Sequence, residues 1–250
     1  MVADALSLGA LVGVLLSGGF VWFEIGRYAT PQVPETLFDE RREIFAYTAG
    51  LFVGIPLAVA YVLYGTALAN GALPGAVLFL VALVGGAEAA QWALLRSRYW
   101  GRDESGPFYA LGLRAGVGGL LALAVVTQYL SSPSAAGEAV ALALIGAVAL
   151  LGLQVSGALL SIRPRPGGLR RRGGPLSGAL FSAVGYFLLG IGPLGGEAAA
   201  FAGGLIVVAI SGFLYRDLRG SLSVIPAPSR GSPPGGSAPA TYGRTRRPGP

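Results

Sequence analysis

The chain contains no cysteine, no histidine and no lysine. Without cysteine there are no disulfides, thiolate metal sites or thiol nucleophiles, and cysteine usage says nothing of the redox compartment. The missing histidine removes the commonest metal ligand and the commonest general base, and with them most intramembrane metalloprotease and Ser-His chemistry. The missing lysine excludes a Schiff base, and so a covalently held chromophore of the retinal type. Charge is scarce too: 12% of 250 residues are charged, against about 25% in soluble domains. Neither a GxxxxGK[ST] loop nor a GxGxxG turn opening a helix after a strand occurs, so phosphate-binding loops are not expected. No cofactor and no metal site are expected, and no catalytic residue stands out.

What is present is hydrophobic, at 53% of the chain. Seven windows are long and apolar enough to span a bilayer, which takes about 20 residues: 5–24, 43–69, 74–95, 108–130, 138–162, 175–193 and 197–215. The first is not read as a secretory signal, because Met1–Asp4 carries no positive charge and the run extends through Phe20, Trp22 and Phe23. The expected fold class is all-α, a polytopic bundle of seven transmembrane helices over residues 1–219. Gly190, Gly192, Pro193, Gly195 and Gly196 crowd the last turn, where a re-entrant segment is the alternative to a full hairpin.

Arginine sets the expected orientation. Seventeen of the eighteen arginines lie in four patches. These are Arg27, Arg41 and Arg42; Arg96, Arg98 and Arg102; Arg163, Arg165 and Arg170 to Arg172; and Arg216 to Arg247. The connections near 70–73, 131–137 and 194–196 carry none. Cytoplasmic loops are enriched in basic residues, so the pattern predicts one helix plus three outer hairpins, N-terminus out and C-terminus in. A multi-pass protein of the cell membrane is expected. Trp22, Tyr28, Tyr47, Trp92, Tyr99, Trp100, Tyr109 and Tyr215 fall near the basic side, the headgroup level such residues prefer.

The net charge of +6 is expected to meet anionic lipid headgroups rather than nucleic acid. Residues 220–250 are rich in Pro, Gly, Ser and Arg and poor in large apolar side chains, so a disordered cytoplasmic tail is expected. Thr36 and Asp39 resemble a capping box, which predicts an early, solvated start to the second helix through Glu40 and Glu43. Glu24 and Arg27 are expected to form a surface pair, and Glu138 and Glu197 to complement helix dipoles. Glycines at four-residue spacing, Gly9 with Gly13 and Gly112 with Gly116, predict close helix packing, because lipid supplies no hydrophobic drive for helices to associate.

Arg114 is the exception to the arginine pattern. It lies six residues into the fourth window, and Glu88 lies seven before the end of the third, so both sit about 10 Å below the basic face. Gln91, Gln154, Ser156 and Ser182 fall at similar depth. The six residues Glu88, Gln91, Arg114, Gln154, Ser156 and Ser182 form the candidate polar layer. A lone charge there costs up to about 3 kcal/mol on insertion scales, so the layer should face the bundle interior. Two functions compete. In one, the layer lines a cytoplasm-facing cavity of a small-molecule or ion transporter or channel. In the other, a Glu88–Arg114 bridge sets helix register in a structural or accessory subunit with a membrane-protein partner or a second copy. A solvated cavity reaching Arg114 would mark the first, a dry contact the second.

Overall fold

The computed structural model describes residues 2–28, 39–97, 106–131, 136–162, 174–190 and 192–218. They form eight helices: α1 (Val2–Tyr28), α2 (Glu40–Ala69), α3 (Leu73–Arg96), α4 (Gly106–Leu130), α5 (Ala136–Ser161), α6 (Pro175–Gly190), α7 (Gly192–Gly195) and α8 (Glu197–Leu218). No strand occurs among the described residues. Six of the helices (α1 to α5 and α8) are long and apolar enough to cross a membrane. The expected tail, 220–250, lies outside the described residues.

The sixth expected span differs from its window. Instead of a helix over 175–193, α6 has 16 residues and ends at Gly190, before the four-residue α7. At 1.5 Å per residue α6 is about 24 Å long. It is shorter than α3 with 24 residues and α5 with 26, and it is not among the six helices long enough to cross a membrane, against the seven expected. A Cβ on Gly178 would meet Gly157 O of α5 at 2.7 Å, and one on Gly190 would meet Tyr64 Oη and Leu68 Cδ1 of α2 at 2.7 Å. Those neighbours lie at opposite ends, so α6 does not turn back midway. Gly196, at φ +81°, opens the turn into α8, and Gly71, at φ +68°, turns α2 into α3, a backbone region that side chains with a Cβ rarely adopt.

The bundle is built around α4, which is buried along most of its length and packs chiefly on α1, α2 and α5. Glycine makes this possible. A Cβ on Gly13, Gly50 or Gly116 would collide with the carbonyl oxygens of Gly119, Leu113 and Tyr47, respectively. These are backbone-on-backbone crossings, the close approach that small residues permit inside lipid. The expected Gly9/Gly13 and Gly112/Gly116 pairs therefore mark the seams of α1 and α2 on α4. The main core gathers Leu57, Leu83, Val117, Leu121, Leu150, Leu153 and Tyr186 from five helices.

Several local expectations change. The α2 cap is Asp39, whose Oδ1 accepts from Arg41 N at 2.9 Å and Arg42 N at 3.4 Å; Thr36 lies outside the described residues. Glu43 is not solvated. One turn into α2 it turns inward, 2% exposed, with its carboxyl against Gly112 of α4. Glu24 is likewise buried rather than on the surface, and accepts from the Tyr215 hydroxyl of α8. Tyr109 is buried beside Ala46, Leu94 and Leu113 instead of reaching the headgroups. Trp22 and Trp92 do face outward, with the Arg96 guanidinium 4.2 Å from the Trp92 ring centre; Trp100 lies outside the described residues. Glu138 and Glu197 stand exposed in the first turns of α5 and α8, where carboxylates suit the helix dipole.

Candidate functional site: the Arg114 network

Arg114 projects from α4 where α3, α5 and α6 close around it, and it is fully buried. Its three nitrogens are all engaged. Nε donates to Gln91 Oε1 at 2.9 Å, Nη1 donates to Gln154 Oε1 at 3.0 Å, and Nη2 donates to Glu88 Oε1 in an ion pair. The planar fork of the guanidinium suits this, because it presents donors in fixed directions to acceptors on two different helices. Glu88 neutralises the charge, and the two carboxamides supply neutral acceptors that water would otherwise provide.

A second ring of partners holds the first. Gln91 Nε2 donates to Ala158 O at 3.2 Å, tying α3 to α5. Ser161 Oγ donates to Glu88 Oε2 at 2.8 Å. Gln154 Nε2 donates to the Tyr186 hydroxyl, and Tyr64 Oη donates to Tyr186 O at 3.4 Å, extending the network through α6 to α2. Five helices are thus cross-linked around one cation. Among these described side chains Glu88 is the most open, 15% exposed against 0% for Arg114.

Four of the six expected residues meet here: Glu88, Gln91, Arg114 and Gln154. Ser156 does not. Its Oγ donates to Ser211 O of α8 at 2.9 Å, on another face of α5, because two residues along a helix turn a side chain about 200° away from Gln154. Ser182 lies at the edge. A Cβ on Gly157 would stand 2.8 Å from Ser182 Oγ and 3.5 Å from Arg114 Nη2, so the hydroxyl and the guanidinium flank the same glycine. Ser182 Oγ is buried without a hydrogen-bond partner.

Ser161 and Tyr186 belong to the network although depth did not single them out. Periodicity carries the signal: Ser161 follows Gln154 by seven residues and Tyr186 follows Ser182 by four, spacings that keep side chains on one helix face. Among the described residues no group of His, Cys, Asp and Glu could hold a metal ion.

A bundle of apolar helices, buried polar contacts confined to its interior, and large apolar side chains turned outward define an integral, multi-pass helical membrane protein. No protein-family model matches the chain, and neither a curated protein nor a solved structure matches it.

Proposed function

We propose that the chain is a non-catalytic helical subunit of a membrane assembly, in which the Arg114 network fixes the register of α3, α4, α5 and α6. The observation that carries this reading is the complete burial of Arg114 with Nε, Nη1 and Nη2 each committed to a side-chain acceptor. An incoming anion would have to displace the Glu88 carboxylate and leave that charge in a low-dielectric interior, where losing one partner of a buried ion pair costs about 3–5 kcal/mol. The exposed apolar rows of α3 and α8, among them Val77, Leu78, Val81, Phe201 and Leu205, suit lipid or a partner's helices equally.

A transport role is the second reading, and what favours it is the partial exposure of Glu88 at the edge of an otherwise dry network. Thermal stability of the purified full chain in detergent separates the two. With chloride, phosphate, sulfate and acetate in turn, the subunit reading expects no anion-specific rise in Tm. A rise that Arg114→Gln abolishes while the variant still folds would overturn it in favour of transport.

A further inference from the structure

The face that α2 turns to α4 carries Glu43, Ala46, Gly50 and Gly54, all buried and three or four residues apart along the helix. The first is a carboxyl where the others are small. Glu43 is 2% exposed, its head lies against Gly112, where a Cβ would stand 2.5 Å from Oε1, and its Oε2 is buried with no hydrogen-bond partner. Among the described residues no cation answers it. Arg114 stands two residues from Gly112, which turns it about 200° around α4, and its nitrogens are committed to Gln91, Gln154 and Glu88. Arg42 pairs with Asp39. The charged group that acts on Glu43 from inside the bundle is another carboxyl, Glu24 of α1, 3% exposed. Of the remaining titratable groups, α8 brings Tyr215, whose hydroxyl donates to Glu24, and α4 brings Tyr109 beside Ala46.

We propose that Glu43 is a proton site: in the folded bundle its carboxyl is the neutral acid, and the negative charge of the pair stays on Glu24. A bare carboxylate in an apolar interior, with neither donor nor counterion, is so costly that the group takes up a proton instead. Two neighbouring carboxyls resist carrying charge together. The Tyr215 hydroxyl decides between them, because a hydrogen bond donated to a carboxylate favours its charged form. A proton also needs no room beside the oxygen, which suits an Oε2 without accessible surface. Losing that proton sets two negative charges under the first turn of α2 and works to part it from α4, so the end of the bundle away from the 70–72 turn loosens as the pH rises. The device is separate from the Arg114 network, which lies on the other face of α4.

The experiment is infrared spectroscopy of the full chain in detergent at neutral pH, in water and in heavy water. A carboxylic-acid C=O band that shifts on deuteration is expected from the wild type and from Glu24→Gln, and its loss is expected in Glu43→Gln. Glu43→Ala takes the place of the amide variant if that one fails to fold. A wild-type chain without the band would overturn the proposal, as would a band that survives in Glu43→Gln or disappears in Glu24→Gln. SDS titrations across pH give a second readout. One proton held only in the folded state makes the folded-to-unfolded ratio of the wild type fall about tenfold per pH unit, relative to Glu43→Gln, as the pH rises through neutrality. Parallel pH profiles for the two proteins would also overturn it.

Discussion

Replacing Arg114 with Met keeps an unbranched chain of similar length in the core and removes every donor of the guanidinium. Three acceptors then lose their partner: Glu88 Oε1, Gln91 Oε1 and Gln154 Oε1. The charge dominates. Stripping one member from a buried ion pair costs about 3–5 kcal/mol, and the 15% exposure of Glu88 admits some water, so the lower end of that range is expected. Glu88→Gln alone leaves the cation buried without its counterion and should cost a similar amount. In Arg114→Met/Glu88→Gln both charges are gone, and the remaining loss is that of neutral hydrogen bonds at about 1 kcal/mol each. The double variant should therefore be no less stable than either single, with a coupling energy of at least about 2 kcal/mol. Detergent-solubilised protein titrated with SDS and followed by aromatic fluorescence gives the four free energies of the cycle. Additivity within about 0.5 kcal/mol would refute the reasoning. It would mean that in each single variant the remaining charge finds water or a new partner, the same relaxation that keeps interhelical hydrogen bonds in membranes near 0.6 kcal/mol on average.

Two further outcomes follow from the packing and from the cysteine-free sequence. Gly50→Ala should destabilise by about 1–3 kcal/mol, because its Cβ collides with the Leu113 carbonyl across the α2–α4 seam. Gly85→Ala, with nothing within 4 Å, should stabilise by about 0.5–1 kcal/mol through helix propensity; equal signs in SDS titrations would sink the seam argument. Because there is no native cysteine, single cysteines report topology directly. Asn70→Cys should react with an impermeant maleimide on intact cells and Ser97→Cys only after lysis, and the reverse pattern would invert the orientation expected from the arginines.

The six long helices were legible in the sequence, though not the early end of α6 at Gly190, because hydrocarbon makes one demand that composition alone can meet: every backbone polar group must be satisfied within its own segment. Long apolar runs therefore become helices whatever their neighbours are. The same logic singled out Arg114, since a cation inside an apolar run must find a partner, and matching depth named Glu88, Gln91 and Gln154 as candidates. Depth is only one coordinate. Ser156 shares it and faces α8, while Ser161 lies two turns from Gln154 and reaches Glu88; rotation about the helix axis and the choice of neighbours separate them. Glu24 and Glu43 are buried, against expectation, for a related reason. Carboxylates near the ends of helices beside arginines look solvated in one dimension, and only the approach of α4 and α8 buries them.

What the sequence determined by itself is that this chain is a membrane-embedded bundle of apolar helices whose single intramembrane arginine needs an answer. Tertiary structure decided how that answer is given: with Arg114 fully buried and all three guanidinium nitrogens satisfied by side chains from α3 and α5. The physical reason is that hydrophobicity and charge are properties of residues along a chain. Whether a buried polar group is completed by protein or left open to a ligand depends on which helices pack side by side and at what rotation.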